Sequence, residues 1–213
     1  QCFDTSCYIG KTDVEGELKD MFPQCVNGYI IASAEGYETS KYLMDSVEEG
    51  DIVMILDRKY KLELEVQEDS DDVDYAIVTF DNGENVLTVS YPEQQEVELT
   101  EGQYEIKTYV YTESNIRLKG ERIEKCVDVP KSGLLGIFGA SEEKCFTMDI
   151  PDQIVSNVVS GGGRQDYYVP ESELSGSGKI IINAPGFGVP KSVEELQTNF
   201  NSVEINGLEV MFD

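Results

Sequence analysis

The sequence predicts a mainly β protein made of two tandem β-sandwich domains, the second carrying one or two short helices. Three observations predict it. Apolar runs of strand length and rich in Val, Ile and Tyr recur along the chain, among them YIIA at 29–32, YAIVTF at 75–80 and NVLTVSY at 85–91. Gly, Asn and Asp cluster between these runs, as at 13–16, 27–28 and 81–83, where tight turns need them. An acidic run from Glu68 to Asp74, a linker or a solvated corner, is too charged to bury and divides the strands into two sets, predicting domains at 1–67 and 68–213.

In the first domain the pattern predicts strands near 2–10, 15–20, 27–34, 52–56 and 60–67. Asp13, Val14, Glu15 and Gly16 make the first turn, with the glycine supplying the positive φ of a tight hairpin. Asn27-Gly28 opens the next strand. Residues 39–49, TSKYLMDSVEE, fit one or two helical turns and a loop equally well. In the second domain strands begin at Tyr75, turn at Asp81-Asn82-Gly83, and continue through NVLTVSY, VELT and QYEIKTYVYT. LTEGQYEIKTYVY echoes CVNGYIIASAEGY: both place Gly shortly before a Tyr that starts a strand, as in a tyrosine corner. Pro151 at the first helical position, DQIVSNVVS and then Gly161-Gly162-Gly163 predict a short helix over 151–159. Ser192 with Glu195 forms a capping box, and Val193, Leu196 and Phe200 follow at helical spacing, predicting a helix over 191–200. GLEVMF at 207–212 predicts a closing strand.

Residues 12–37 carry a resemblance. Thr12-Asp13 with Gly16 beyond, Phe22-Pro23, Asn27-Gly28-Tyr29 and Gly36-Tyr37 resemble the repeat of carboxypeptidase regulatory-like domains, over residues 1–67 only. The resemblance implies a transthyretin-like β-sandwich, as in prokaryotic cell-surface proteins, that binds or supports rather than catalyses. In that family a further strand precedes the cysteine-containing segment, so the first sandwich is expected to lack its first strand. The start at Gln1, without Met or a basic leader, is that of a processed product or part of a longer polypeptide.

The charge narrows the function classes. Forty-two acidic against 16 basic side chains give a net charge of −26, which repels phosphate backbones and anionic headgroups. Nucleic acid is not an expected partner. No run approaches the roughly 18 apolar residues of a membrane-crossing helix. The chain has no His, which excludes Ser-His-Asp and Cys-His nucleophilic sites within it. It has no Trp for a sugar platform, and its glycine clusters lack the GxxxxGK[ST] and GxGxxG patterns of nucleotide loops. An activity as an enzyme is not expected.

Five cysteines, Cys2, Cys7, Cys25, Cys126 and Cys145, lack the CxxC spacing of a zinc or redox site. Disulfides in an oxidising compartment account for them better than buried thiols do, which places the protein outside the cell or on its surface. The expected pairs are Cys126 with Cys145 and Cys7 with Cys25; Cys2 is the alternative partner for Cys25 and is otherwise unpaired within the chain.

Two stretches are candidate contact sites. Asp69, Asp71, Asp72 and Asp74 offer hard oxygen ligands at the domain junction and are the candidate Ca²⁺ ligands, against the competing reading of a solvated linker. No other cofactor is expected. SGLLGIFGA at 132–140 is apolar where loops are normally polar, so Leu134, Leu135, Ile137 and Phe138 either fold back onto the domain or contact a partner, a neighbouring subunit or a lipid surface. Tyr109, Tyr111, Tyr167 and Tyr168 offer a small-ligand or carbohydrate site, with core packing as the simpler account.

The expected function is a non-enzymatic structural or adhesion module of an extracellular or cell-surface protein, including a filament or surface-layer subunit. Its partners are then proteins, by self-assembly or on another surface protein. The alternative is an accessory, non-catalytic region of a larger secreted enzyme.

Overall fold

The computed structural model describes residues 5–118, 122–130, 141–149 and 153–213, with the side chains of 115 and 117–153 left out of the description. The fold is mainly β. Its strands are β1 (Gly28–Ala32), β2 (Ser40–Met44), β3 (Tyr60–Glu68), β4 (Asp71–Asp72), β5 (Tyr75–Asp81), β6 (Val86–Tyr91), β7 (Glu96–Leu99), β8 (Gly102–Leu118), β9 (Arg122–Pro130), β10 (Ser141–Asp149), β11 (Gln153–Val169), β12 (Lys179–Ala184) and β13 (Glu209–Phe212). Among the described residues there are two helices, α1 (Glu171–Gly176) and α2 (Val193–Ile205).

Two sheets make one sandwich. The first has the order β13-β12-β3, with β7 and β4 on the far side of β3; the second has the order β11-β8-β5-β6. Strict alternation sets the inner faces: Leu62, Leu64 and Val66 from β3, Ile180 and Ile182 from β12, and Ala76, Val78 and Phe80 from β5 are all at most 1 % exposed. Tyr104, Ile106 and Val110 of β8 complete this one core cluster.

Strand β3 departs from the expected domain division. It pairs in parallel with β12, Leu64 with Ile180 and Val66 with Ile182, so it is a central strand of the second sandwich and not the last strand of the first. Of the two readings of the acidic run, linker or solvated corner, the structure has the corner. Asp69 and Ser70, both in the left-handed region (φ 51° and 72°), form a two-residue turn that folds Asp71 and Asp72 back onto Glu68 and Gln67.

Residues 5–57 contain one two-stranded sheet among the described residues, β1 with β2. The turn at 13–16 forms as expected, with Asp13 Oδ1 accepting from the backbone N–H groups of Glu15 and Glu17 and Gly16 at φ 84°. The strands expected at 15–20 and 52–56 are absent from the assigned elements. Residues 40–44 are β2, neither helix nor loop, because Ile30 and Tyr29 of β1 find pairing partners in Tyr42 and Leu43.

The second domain's strands expected from 75, 85, 97 and 103 are all present, as β5 to β8, and the turn at 81–83 is a hairpin closed by the Asp81 and Asn82 side chains. Of the helix expected over 151–159, the described residues from 153 are instead the start of β11, which continues through Gly161–Gly163. The C-terminal helix is present. Ser192 Oγ accepts from the Glu195 N–H at 3.2 Å, while Glu195 Oε2 reaches past the cap to the Lys191 N–H at 2.7 Å. Its buried side is set by Asn199 and Val203, whereas Val193 and Phe200 stay exposed, so the apolar face read from the sequence is rotated from the one that docks.

Beyond Tyr111, where pairing with β5 ends, β8 pairs only with β11 as far as Leu118 and Gln153. Strands β9 and β10 then pair over nine residues, Arg122 with Asp149 through Pro130 with Ser141, about 30 Å of ladder. Three residues separate the two ladders on each strand, so one register serves both. A two-stranded ladder is marginal in water unless something else holds it.

The tyrosine corner forms. Tyr104, 5 % exposed, accepts from the Thr100 N–H at 3.2 Å and hydrogen-bonds the Thr100 hydroxyl at 3.0 Å, pinning the arch from β7 to β8. Tyr104→Phe leaves the buried Thr100 N–H without its acceptor. It is expected to lower the unfolding free energy by about 1–3 kcal/mol in urea titration, with the native far-UV spectrum unchanged.

Candidate functional site

The chain's least ordinary chemistry lies where β11 crosses the end of β3. The core-facing row Leu62, Leu64, Val66 continues into Glu68, which therefore turns a carboxylate toward the interior at the open end of the sandwich. Glycines make room for it. A Cβ on Gly161 would overlap Glu68 Oε1 and stand 2.9 Å from the Pro185 carbonyl, and one on Gly186 would stand 2.6 Å from Asp69 Oδ2. Gly161 and Gly186 form an isolated antiparallel bridge, so the two backbones meet directly under the two carboxylates.

A bulge supplies the next group. Val159 pairs with Tyr111 and Gly161 with Val110, leaving Ser160 as an extra residue on β11. Ser160 is 3 % exposed, and its carbonyl accepts from the Phe187 N–H at 2.6 Å. Three buried polar atoms here lack a hydrogen-bond partner: Glu68 Oε1, Ser160 Oγ and, further along the same strands, Thr108 Oγ1. Burial holds the Glu68 carboxyl above its usual range; the nearby Ser160 hydroxyl counteracts this, though without well-formed hydrogen-bond geometry, and the Asp69 charge adds to it.

The other face of β11 carries α2. Asn199 Nδ2 donates to the Val159 carbonyl at 2.7 Å and the Gly188 carbonyl at 3.1 Å, and Val203 reaches within 3.0 Å of where a Cβ on Gly162 would lie. Glu204 binds Lys107 Nζ through both oxygens at 3.0 Å, and this contact draws its carboxyl below the usual range. The tyrosines belong to this packing. Tyr109 tilts against Phe200 of α2 at 6.1 Å, Tyr111 against Tyr75 at 5.6 Å, and Tyr167 stacks on Phe212 at 6.2 Å. Tyr168 is exposed and donates to Glu101.

The sequence-predicted sites fare differently. Asp69, Asp71, Asp72 and Asp74 are strung along the β3–β4 turn, and among the described residues no group of three or more His, Cys, Asp or Glu gathers for a cation. Cys7 is a free, exposed thiol, so the expected Cys7–Cys25 pair is not made; Cys25 is disulfide-bonded to another cysteine. The alternative partner, Cys2, lies outside the described residues. Cys126 and Cys145 stand directly opposite in the β9–β10 register, at the backbone spacing a disulfide spans. Leu134, Leu135, Ile137 and Phe138 lie outside the described residues, in the ten-residue connection between the paired Pro130 and Ser141. A wide groove of about 620 Å³ between β6 and β7 was not foreseen; Glu38, Asn85, Thr100 and Tyr104 line it, and Glu38 accepts from Asn85 and Thr100.

No protein-family model matches the chain, and neither a curated protein nor a solved structure matches it. The resemblance of residues 1–67 to regulatory-like domains therefore rests on its quoted motif.

Two measurements test these assignments. Because the folded state raises the Glu68 pKa, it binds the proton more tightly than the unfolded chain, so this group's contribution is full at low pH and is lost as pH rises above the ordinary Glu value of about 4.3. In chelator-treated buffer Glu68→Gln should raise Tm at pH 7 relative to the wild type, with the difference shrinking toward pH 4. Separately, maleimide should label Cys7 in the native, unreduced protein, and mass spectrometry of the unreduced digest should recover a Cys126–Cys145 linked peptide.

Proposed function

We propose that the chain is a non-enzymatic structural or adhesion module of an extracellular or cell-surface protein, working through β-structure that a protein partner covers. The observation that carries the reading is the exposure of apolar side chains in 28–57. Ile31 and Leu43 lie on one face of the β1–β2 hairpin at 40 % and 54 % exposure, and Val53 and Ile55 beyond it are exposed at 86 % and 78 %. A two-stranded sheet with no second layer among the described residues buries too little to hold itself, so a covering surface from a neighbouring subunit or another surface protein would stabilise it. The β9–β10 ladder is a second two-stranded element, and the apolar sequence of 132–140 falls between its two strands.

Self-assembly is the simplest form of this function, and the −26 charge sets its conditions: like charges oppose association until salt screens them. Light scattering on the purified chain tests it. Association should strengthen from low to about 1 M salt. The combined substitution Ile31→Ser, Leu43→Ser and Ile55→Ser should reduce it at least tenfold while the sandwich melts as in the wild type; Leu135→Ser with Phe138→Ser tests the loop in the same way. Assembly unchanged in both variants would overturn the reading.

A further inference from the structure

We propose that the β9–β10 ribbon of one copy docks on the β1–β2 hairpin of another, joining copies of this chain head to tail. This contact rests on the self-assembly proposed above and names the two surfaces that meet. Alternation along paired strands gives the ribbon two unlike faces. Ile123 with Met148, Lys125 with Phe146 and Val127 with Lys144 are register pairs on one face. Val129 and Glu142 complete it, so that five of its eight positions are apolar and lysines outnumber carboxylates two to one. The opposite face is acidic: Glu124, Asp128, Glu143 and Asp149 stand there against Arg122, with Cys126 paired to Cys145 between them. Among the described residues the extensive contacts of β9 and β10 are with each other, and those of β1 and β2 likewise.

Charge selects what the apolar face meets. The stretch 115–150 holds six of the chain's 16 basic residues, whereas Lys61, Lys107, Arg164 and Lys179 of the sandwich are each bound to a carboxylate of the same chain. Residues 28–57 are the complement, with seven acidic side chains and one basic, Lys41, around the exposed Ile31, Leu43, Val53 and Ile55. An apolar face carrying two lysines fits an acidic surface with exposed apolar groups, and the ribbon's other face is repelled by it. Two copies at −26 oppose each other everywhere else, so this pairing is the approach of least electrostatic cost.

The same charges decide the symmetry. A two-fold contact of ribbon on ribbon sets lysine against lysine, and one of hairpin on hairpin sets two acidic segments together. Ribbon on hairpin avoids both. Because the two surfaces differ, each copy that docks leaves one of each free, and the contact propagates as a filament unless its rotation closes a ring.

Sedimentation velocity on the full chain at about 0.15 M salt tests the contact, with Tm read in parallel. The ribbon variant Val127→Ser with Phe146→Ser and the hairpin variant Ile31→Ser, Leu43→Ser and Ile55→Ser should each lose association at least tenfold and keep the sandwich Tm. Mixed in equal amounts they should form heterodimers and nothing longer, since one intact ribbon and one intact hairpin remain. Glu124→Ser with Thr147→Ser, on the ribbon's other face, should associate as the wild type does. Lys125→Glu with Lys144→Glu should weaken association at least tenfold, and less so at about 1 M salt; it decides the matter if the serine variant of the ribbon melts early. A ribbon variant that assembles normally, or a mixture without heterodimers, overturns this docking while the self-assembly reading stands on the hairpin variant alone. A wild type that stays monomeric at every salt concentration overturns both. Co-sedimentation of a monomeric wild type with anionic vesicles, lost in the ribbon variant, gives the face to lipid and overturns the docking as well.

Discussion

The parallel pairing of β3 with β12 is the constraint on which the rest of this structure depends. A parallel strand needs both faces or a crossover to cover it, and here the crossover is long: β3 leads out through the whole second sheet and the ribbon before the chain returns through α1 to β12. Once β3 is central, Leu62, Leu64 and Val66 belong to the one core cluster, and the N-terminal residues lose the strand that would have closed a core of their own. The exposed faces of β1 and β2 and the inward turn of Glu68 both follow from that one assignment.

Strand β11 shows how a close fit is made from small residues. Gly161 admits the end of β3, Gly162 and Gly163 admit α2 and the segment after it, and the Ser160 bulge lets the strand change its aim between these neighbours. Larger side chains at these three positions would separate the helix, the sheet and the 184–188 segment together. The ion pair of Lys107 with Glu204 and the amide of Asn199 then fix the helix at the spacing the glycines set.

The sequence made the sandwich strands legible where alternation and turn chemistry agree, as at 75–81 with Asp81-Asn82-Gly83, and it located α2 through Ser192 and Glu195. Its failures have physical reasons. Gly161–Gly163 read as a helix stop because glycine punctuates locally, whereas their role is set by neighbours distant in sequence. The acidic run read equally as a linker or a solvated corner because charge is visible and the positive φ of Asp69 and Ser70, which makes it a corner, is not. β12, KIIINA, passed unnoticed since a short apolar run carries no periodicity that tells a buried parallel strand from a helix. The buried Ser160 has no sequence signal, because a bulge is a property of two strands counted together.

The β9–β10 ribbon inherits its facing from the two bulges. The shift at Ser160 adds a residue to β11, and the shift between Ile116 and Glu113 adds one to β8, so the two cancel and the strands leave the sandwich in the register they had inside it. Inserting or deleting one residue on a single strand would turn the ribbon's two faces over with respect to the sandwich. The lengths of β8 and β11 are therefore coupled: a residue added to one keeps the faces in place only with a matching residue in the other.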